Sequence, residues 1–335
     1  LATIKDVSQL ANVSISTVSR VINDTAQVAP EKREAVLKAM EELSYRPNSF
    51  AQALVSKRSD CIGLVVGDLG GGPFFMQMMK GIEEVVDGAN KYTMVMTGHH
   101  EADKERHAID ILLQRQCDAL IVHAMAMTDD ELCEIASGDT PFVFINRLVP
   151  GFEDRCVFID NQEGARVAVA YLIEQGHSNI AMISSDDLDF VDAIEREKGY
   201  RQALEEAGIV FDPSLIFRAF PNELGGSFAG QHLLEQRPDV TAAFGFNDSM
   251  IAGALSTFRD FKVSSPEQIA VVGFDDNHYA KFTFPRLTTI RYPIEEMGGR
   301  AAQQALDLFA LKNTDESVST DGLCFKPELI KRESA

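Results

Sequence analysis

The sequence predicts an α/β chain, with a small all-α helix-turn-helix head ahead of two doubly wound parallel-sheet units. Three observations predict it. The first 23 residues, LATIKDVSQLANVSISTVSRVIN, hold two short amphipathic patterns separated by a tight turn. From Cys61 onward, short apolar runs alternate with helical patterns, which calls for a parallel sheet covered on both faces. The alternation starts again after residue 160, giving two units of similar size. A chain of 335 residues has room for all three parts.

In the head, Ile4, Val7 and Leu10 fall at helical spacing and predict one apolar face. Asn12-Val13 breaks that helix, and Ser14 is the predicted N-cap of the next, its hydroxyl free to accept an orphan N–H. The second helix is expected from about Ile15 to Asn23, with Val18, Val21 and Ile22 inward. Its outward set is Ile15, Ser16, Thr17, Ser19 and Arg20, short, polar and singly basic. Such a face suits a helix laid against base edges and phosphates in a major groove. Pro30 opens a third helix, whose Val36, Leu37, Met40 and Leu43 are expected to close the small core. Tyr45-Arg46-Pro47-Asn48 ends it, because the residue before proline is pushed out of the helical region.

Residues 49–59, SFAQALVSKRS, are too short to hold a helix alone in water. Ala51, Ala53 and Leu54 are also too apolar for a solvated tether. The segment is expected to order only when something else holds it.

The formal charge of −20 is unevenly spread: residues 1–58 carry +2 and the remainder −22. An acidic body stays off phosphates while the head docks, and so weak a positive head implies binding in two copies. Five cysteines, 61, 117, 133, 156 and 324, form no C-x-x-C pair and read as free buried thiols in a reducing cytosol. His99-His100 is the one histidine cluster; without a partner at ligand spacing it reads as solvent-facing or polar rim, so no metal is expected. No apolar run approaches the ~20 residues of a membrane span, and no secretory segment opens the sequence, so a cytoplasmic protein is expected.

The strands of the first unit are CIGLVV (61–66), YTMVMT (92–97), DALIVH (118–123) and PFVFIN (141–146), with helices at 74–89 and 101–115. In the second, NIAMIS (179–184), 215–219, TAAFGF (241–246) and IAVVGF (269–274) alternate with helices at 161–175, 190–207, 224–236 and 248–260. Ligands of open α/β sheets bind beyond the carboxyl ends of the strands. Those ends carry Asn146, Asp160, Asn247-Asp248 and Asp275-Asp276, with Arg196 on a following helix. One such residue is usually a helix cap. Several from both units, with a guanidinium, suit a polyhydroxylated ligand. Phe74, Phe75 and Phe220 are read either as a cover for an apolar sugar face or as core. Gly70-Gly71-Gly72 has neither the P-loop nor the dinucleotide spacing, and no nucleophile-plus-base motif appears, so no cofactor, no catalytic residue and no enzyme is expected.

The head and linker phrases TIKDVSQLANVSISTVSRVIN and YRPNSFAQAL, with VVGFDD, FNDSM and FPRLTTIRYPIEEMG, resemble the lactose/galactose repressor family of bacterial transcription factors. LVVGD, PFF, INRLVPGFEDRC, NDSM and RLTTIRYPI are most similar to the galactose repressors within it. The resemblance implies a helix-turn-helix domain at 1–45 and a hinge at 46–60. It also implies an effector domain of periplasmic-binding-protein type, its N-terminal subdomain at 61–160 and 291–320 and its C-terminal subdomain at 161–290 and 321–335. Ile15, Ser16 and Arg20 then read bases, Leu54 enters the minor groove, and Thr3, Ser14, Thr17, Ser19, Asn23, Asn48 and Ala51 complete the DNA-contacting set. Effector contacts fall on Phe74, Phe75, Asn146, Asp160, Asp192, Arg196, Phe220, Asn247 and Asp275. The implied partners are a palindromic operator, a second copy of the chain and a sugar, galactose first, with another sugar or a nucleoside as the alternative. The competing classes are a periplasmic sugar-binding protein, against which the added head argues, and a cytosolic sugar-binding protein or enzyme on the same fold, against which stands the lack of a paired acid and base with a positioned nucleophile.

Overall fold

The computed structural model describes residues 2–23, 27–46, 58–69, 73–312, 314 and 318–335. The expected hinge contacts Asn48, Ala51 and Leu54 lie outside them. The chain divides into two compact units, residues 1–61 with 116–118, and residues 62–115 with 119–335.

In the first unit, α1 (Ile4–Leu10), α2 (Ile15–Asn23) and α3 (Pro30–Glu42) enclose Val7, Val18, Val21, Val36 and Ala39. Thr3 caps α1 through a reciprocal pair with Asp6. Ser14 accepts from the Thr17 N–H at 3.2 Å, the predicted capping bond. Leu10 and Leu37, expected in this core, are instead about half exposed at 49 % and 51 %. The larger side chains packed around the valine and alanine centre are instead Ile4, Ile22, Met40, Leu43 and Tyr45. Ser14→Ala is expected to cost the head about 1 kcal/mol. Calorimetry that finds the head's unfolding midpoint unmoved would sink that assignment.

The second unit holds two six-stranded sheets. The first runs β11-β5-β4-β3-β1-β2, from β1 (Cys61–Val66), β2 (Tyr92–Thr97), β3 (Ala119–Val122), β4 (Phe142–Ile145), β5 (Cys156–Ile159) and β11 (Cys324–Phe325). The second runs β12-β10-β9-β8-β6-β7, from β6 (Ile180–Ser185), β7 (Ile216–Ala219), β8 (Ala242–Gly245), β9 (Ala270–Asp275), β10 (Thr288–Arg291) and β12 (Glu328–Ile330). Strands β1, β3 and β4 are buried along their whole length, as sheets covered on both faces require. β12 runs antiparallel to β10 at the sheet edge.

Helices α4 (Pro73–Gly88), α5 (Ala102–Gln114) and α6 (Asp129–Ala136) flank the first sheet in sequence. Those of the second are α7 (Asn161–Glu174), α8 (Val191–Glu206), α9 (Glu223–Gln236), α10 (Asp248–Asp260) and the short α11 (His278–Phe282). After β10 the chain returns to the first lobe as α12 (Ile294–Leu311), packed on α4. The approach is close enough that a Cβ on Gly81 would stand 1.9 Å from the Glu295 carbonyl oxygen. The return to the second lobe was expected at residue 321. It falls later, between Phe325 and Glu328, because β11 pairs with β5 through Cys324–Phe158 and Phe325–Ile159. That pairing covers the edge of the first sheet before the chain leaves it.

Candidate functional site

The carboxyl ends of both sheets face a cavity of about 510 Å³. The first lobe contributes Asp68, Phe74, Phe75, His100, His123 and Asn146. The second contributes Asp192, Arg196, Phe220, Phe246, Asn247, Asp275, Tyr279 and the Ser185–Asp187 turn, among others. Eight of the nine expected effector contacts therefore line one space. The exception is Asp160. It is exposed and accepts from the Glu163 N–H at 2.8 Å as the N-cap of α7. The bland reading of a strand-end carboxylate is the correct one at that position.

One polar network joins the lobes. Asn146, which follows β4, donates Nδ2 to Asp192 Oδ2 on α8 at 2.8 Å and accepts from the Tyr292 hydroxyl. Asn161 of α7 donates to the other Asp192 oxygen at 3.3 Å. Arg196, one turn beyond Asp192, donates Nε to Asn161 Oδ1 at 2.9 Å and Nη1 to the Phe246 carbonyl at 2.5 Å. Its guanidinium lies 3.7 Å from the Phe274 ring centroid and 4.5 Å from that of Phe246. A planar cation between two aromatic faces is the arrangement arginine makes and lysine does not.

Burial raises the carboxyl of Asp192 above its ordinary range, opposed by Arg196 and by the Asn146 hydrogen bond. Burial pushes Asp275 up to about 7, again against Arg196. Asp248 is buried below it, raised well above the ordinary range by burial and the neighbouring Asp275, and held by Thr289 Oγ1 at 2.7 Å and the Asn277 N–H at 3.1 Å. Backbone φ values of +63° at Asn146 and +117° at Asp275 place both in the left-handed region, and such strain concentrates at functional sites. Asn247 caps α10, accepting from Met250 N–H at 2.8 Å, and donates to the Pro221 carbonyl at 3.1 Å. It thereby fixes the loop that carries Phe220, which is 64 % exposed. Phe74 and Phe75 line the cavity and also pack on the core.

The expectations for histidine and cysteine divide. His99 is exposed and hydrogen-bonded to Thr97, whereas His100 lines the cavity. His123, Asn161 and Tyr292 were missed from the sequence. A signal for His123 was present: it ends DALIVH as Asn146 ends PFVFIN. All five cysteines are free thiols, but not all are buried: Cys324 is exposed and Cys133 half-buried. Among the described residues no His/Cys/Asp/Glu group is arranged to hold a metal ion, and no helix is long and apolar enough to cross a membrane.

On the head, Ile15, Ser16 and Arg20 are exposed on one face of α2, with Thr17 and Ser19 half-buried beside them. Ser14 shares its hydroxyl with Ser16 and Thr17, each at 2.8 Å. Arg20 has no hydrogen-bond or ion-pair partner among the described residues, so its guanidinium is available to a base or phosphate. Asn23 ends the helix and donates to Ser19 at 3.3 Å.

A recognition-type helix on one unit and a two-lobed ligand cavity in the other define a ligand-responsive DNA-binding regulator. Comparisons with known proteins agree. Residues 3–48 match the bacterial regulatory proteins of the lacI family, and residues 169–335 match the periplasmic binding protein-like domain. The chain is 42 % identical to the HTH-type transcriptional regulator GalS of Salmonella typhimurium, over 100 % of this chain and 96 % of that one. It is 41 % identical to the regulator GalR of Escherichia coli over the same shares. Among solved structures, a Lac repressor dimer bound to operator and an anti-inducer superposes with a TM-score of 0.84 at 26 % identity, covering 99 % of this chain and 98 % of that one. A complex of the regulator CelR with cellobiose superposes at 0.72 with 32 % identity, covering both chains fully. The chain belongs to the LacI family of bacterial transcriptional regulators.

Proposed function

We propose that this protein is a homodimeric repressor that leaves a palindromic operator when galactose binds between its two lobes. The observation that carries the reading is the Asn146–Asp192–Arg196 network, which ties ligand-facing groups of one lobe to those of the other. A sugar seated on it interacts with both lobes and so depends on the angle between them. Galactose is preferred on the likeness to GalR and GalS over the whole chain. The lining also favours an uncharged ligand. Among the described residues it contains Asp68, Asp186, Asp187, Asp192, Glu223 and Asp275 against one cation, Arg196, a field that repels phosphates and carboxylates. The dimer is supported by the weak charge of the head. It is supported too by aromatic side chains left in solvent on the second lobe, Phe282 at 83 % and Phe284 at 94 % exposure.

In this reading Arg20 and the Ile15-Ser16 pair read bases, and Leu54 wedges a minor-groove step once two hinges pair on DNA. Thr3, Thr17, Ser19, Asn23, Asn48 and Ala51 anchor the backbone. A mobility shift of the full chain on a near-palindromic fragment tests it. Galactose is expected to weaken operator binding, and operator to weaken galactose binding by the same factor. A fragment of residues 1–45 is expected to bind far more weakly than the whole chain. Operator affinity indifferent to galactose rejects the effector; equal affinity of fragment and chain rejects the dimer.

A further inference from the structure

Asp248 opens α10 between two residues that line the cavity, Asn247 and Ser249, yet its own side chain is fully buried. Its carboxylate is seated against the second sheet. Oδ1 accepts from Thr289 Oγ1 of β10 at 2.7 Å, and Oδ2 accepts from the Asn277 N–H at 3.1 Å. Thr289 pairs in register with Gly273 of β9, and a Cβ on Gly273 would stand 2.2 Å from Asp248 Oδ1. Only glycine leaves room there for the carboxylate.

Asn277, 3 % exposed, is a fork. Its Nδ2 donates to Asp275 Oδ2 at 3.4 Å, and its Oδ1 accepts from the Tyr279 N–H at 2.8 Å. Asp275 and Tyr279 both line the cavity, so Asn277 joins two of its walls. The corner is strained, with φ of +117° at Asp275 and +56° at Asp276. Such backbone persists only where its surroundings over-determine it. Here each residue is tied. The Asp275 carbonyl accepts from the Tyr292 N–H at 3.1 Å, and the Asp276 carboxylate accepts from Arg291 Nε at 3.4 Å and from Arg332. Asn277 is held by Asp248.

We propose that Asp248 and Asn277 are positioning residues, which hold the Asp275 carboxylate in the orientation that a ligand hydroxyl meets. The proposal rests on the sugar-binding reading above. An N–H donated to a carboxylate favours its ionised form, so the Asn277 amide holds Asp275 lower than burial alone would. The other titratable and charged groups facing Asp275 are Arg196 and Asp192 from α8, Asp248 from α10 and Tyr292 beyond β10, with Asp276 beside it in the chain. Withdrawing the amide therefore moves the titration of Asp275 upward, which a packing defect elsewhere does not.

The test is calorimetric titration of the full chain with galactose between pH 6 and pH 9, with melting curves of the ligand-free chain at each pH. Asn277→Ser keeps a cap for α11 and withdraws the amide. It is expected to raise the galactose Kd about fivefold at pH 8 and to move the midpoint of the pH dependence up by about half a unit. In the ligand-free chain, the fall in melting temperature with rising pH is expected to end that much higher, read against the same change in an Asp275→Asn background. Asp248→Ala removes the acceptor of the Asn277 N–H and is expected to show the same two shifts. Asp248→Asn, whose amide oxygen takes that N–H, is expected to recover most of both. A wild-type midpoint in Asn277→Ser overturns the positioning role, even where galactose binds more weakly. An Asp248→Asn chain as impaired as Asp248→Ala overturns the part given to Asp248. A wild-type chain that binds no galactose rejects the sugar reading alone, because the ligand-free melting profile still decides whether Asn277 sets Asp275.

Discussion

Arg196→Lys is expected to give a protein that still binds its operator but no longer releases it with galactose. The guanidinium is 2 % exposed and serves three groups at once: Asn161, the Phe246 carbonyl and, at 3.7 Å, Asp192. Its plane also fills the space between Phe246 and Phe274. A lysine ammonium keeps the charge that Asp192 and Asp275 need, but it is a point donor and cannot span those partners. Losing one charge-assisted hydrogen bond costs about 1.5–3 kcal/mol, roughly a 10- to 150-fold rise in sugar Kd. Arg196→Ala removes the charge as well, leaves two carboxyls buried without their cation, and is expected to lower stability by about 3–5 kcal/mol. The lysine variant therefore separates signalling from folding. Titrating galactose into operator-bound wild type and variant reads the result, and a variant that releases DNA at the wild-type sugar concentration refutes it.

Galactose binding is expected to weaken by about tenfold between pH 8 and pH 6, through one proton on Asp275. Burial lifts this carboxyl from an ordinary 3.8 to about 7, and the groups facing it are Arg196, Asp192, Asp248 and Asn277. A sugar hydroxyl donates more strongly to the ionised carboxylate than to the neutral acid, so binding favours the form present above pH 7. Stability runs the other way. Between the two values the folded chain keeps a proton that the unfolded chain has released. The contribution of Asp275 is thus fully present below about 4 and is lost as pH rises through 7. Asp275→Asn cannot titrate and is expected to flatten both profiles. Calorimetric Kd values at pH 6, 7 and 8, with melting curves at the same pH, check the pair of trends. A wild-type Kd that is level across that range rules out the linked proton.

Much of this was legible without coordinates, because local rules govern it. Apolar runs such as CIGLVV became a buried strand with the expected bounds, and Ser14 capped α2 through its own hydroxyl. Strand-end polar residues marked the cavity because the carboxyl edge of a parallel sheet is where side chains leave the core. Local rules also mislead. Asp160 has the same sequence position as Asn146, one residue beyond a strand, yet it caps a helix in solvent. Leu10 and Leu37 keep the helical spacing of core residues and stay half exposed, since spacing cannot say how large a core three helices enclose.

The sequence by itself determined the elements, the head, the alternation of the two sheets and the residues that could meet a polar ligand. Those depend on neighbours within a few positions along the chain. Only the tertiary structure decided which of them meet. Asn146 finds Asp192 and Tyr292 across 46 and 146 positions, Arg196 finds the Phe246 carbonyl across 50, and β11 joins β5 before the chain crosses back. It also decided that His123 is buried on the cavity wall, with its Nδ1 unpartnered among the described residues. Burial and desolvation are properties of the assembled fold, and they turn ordinary Asp275 and His123 into groups held at about 7 and about 3.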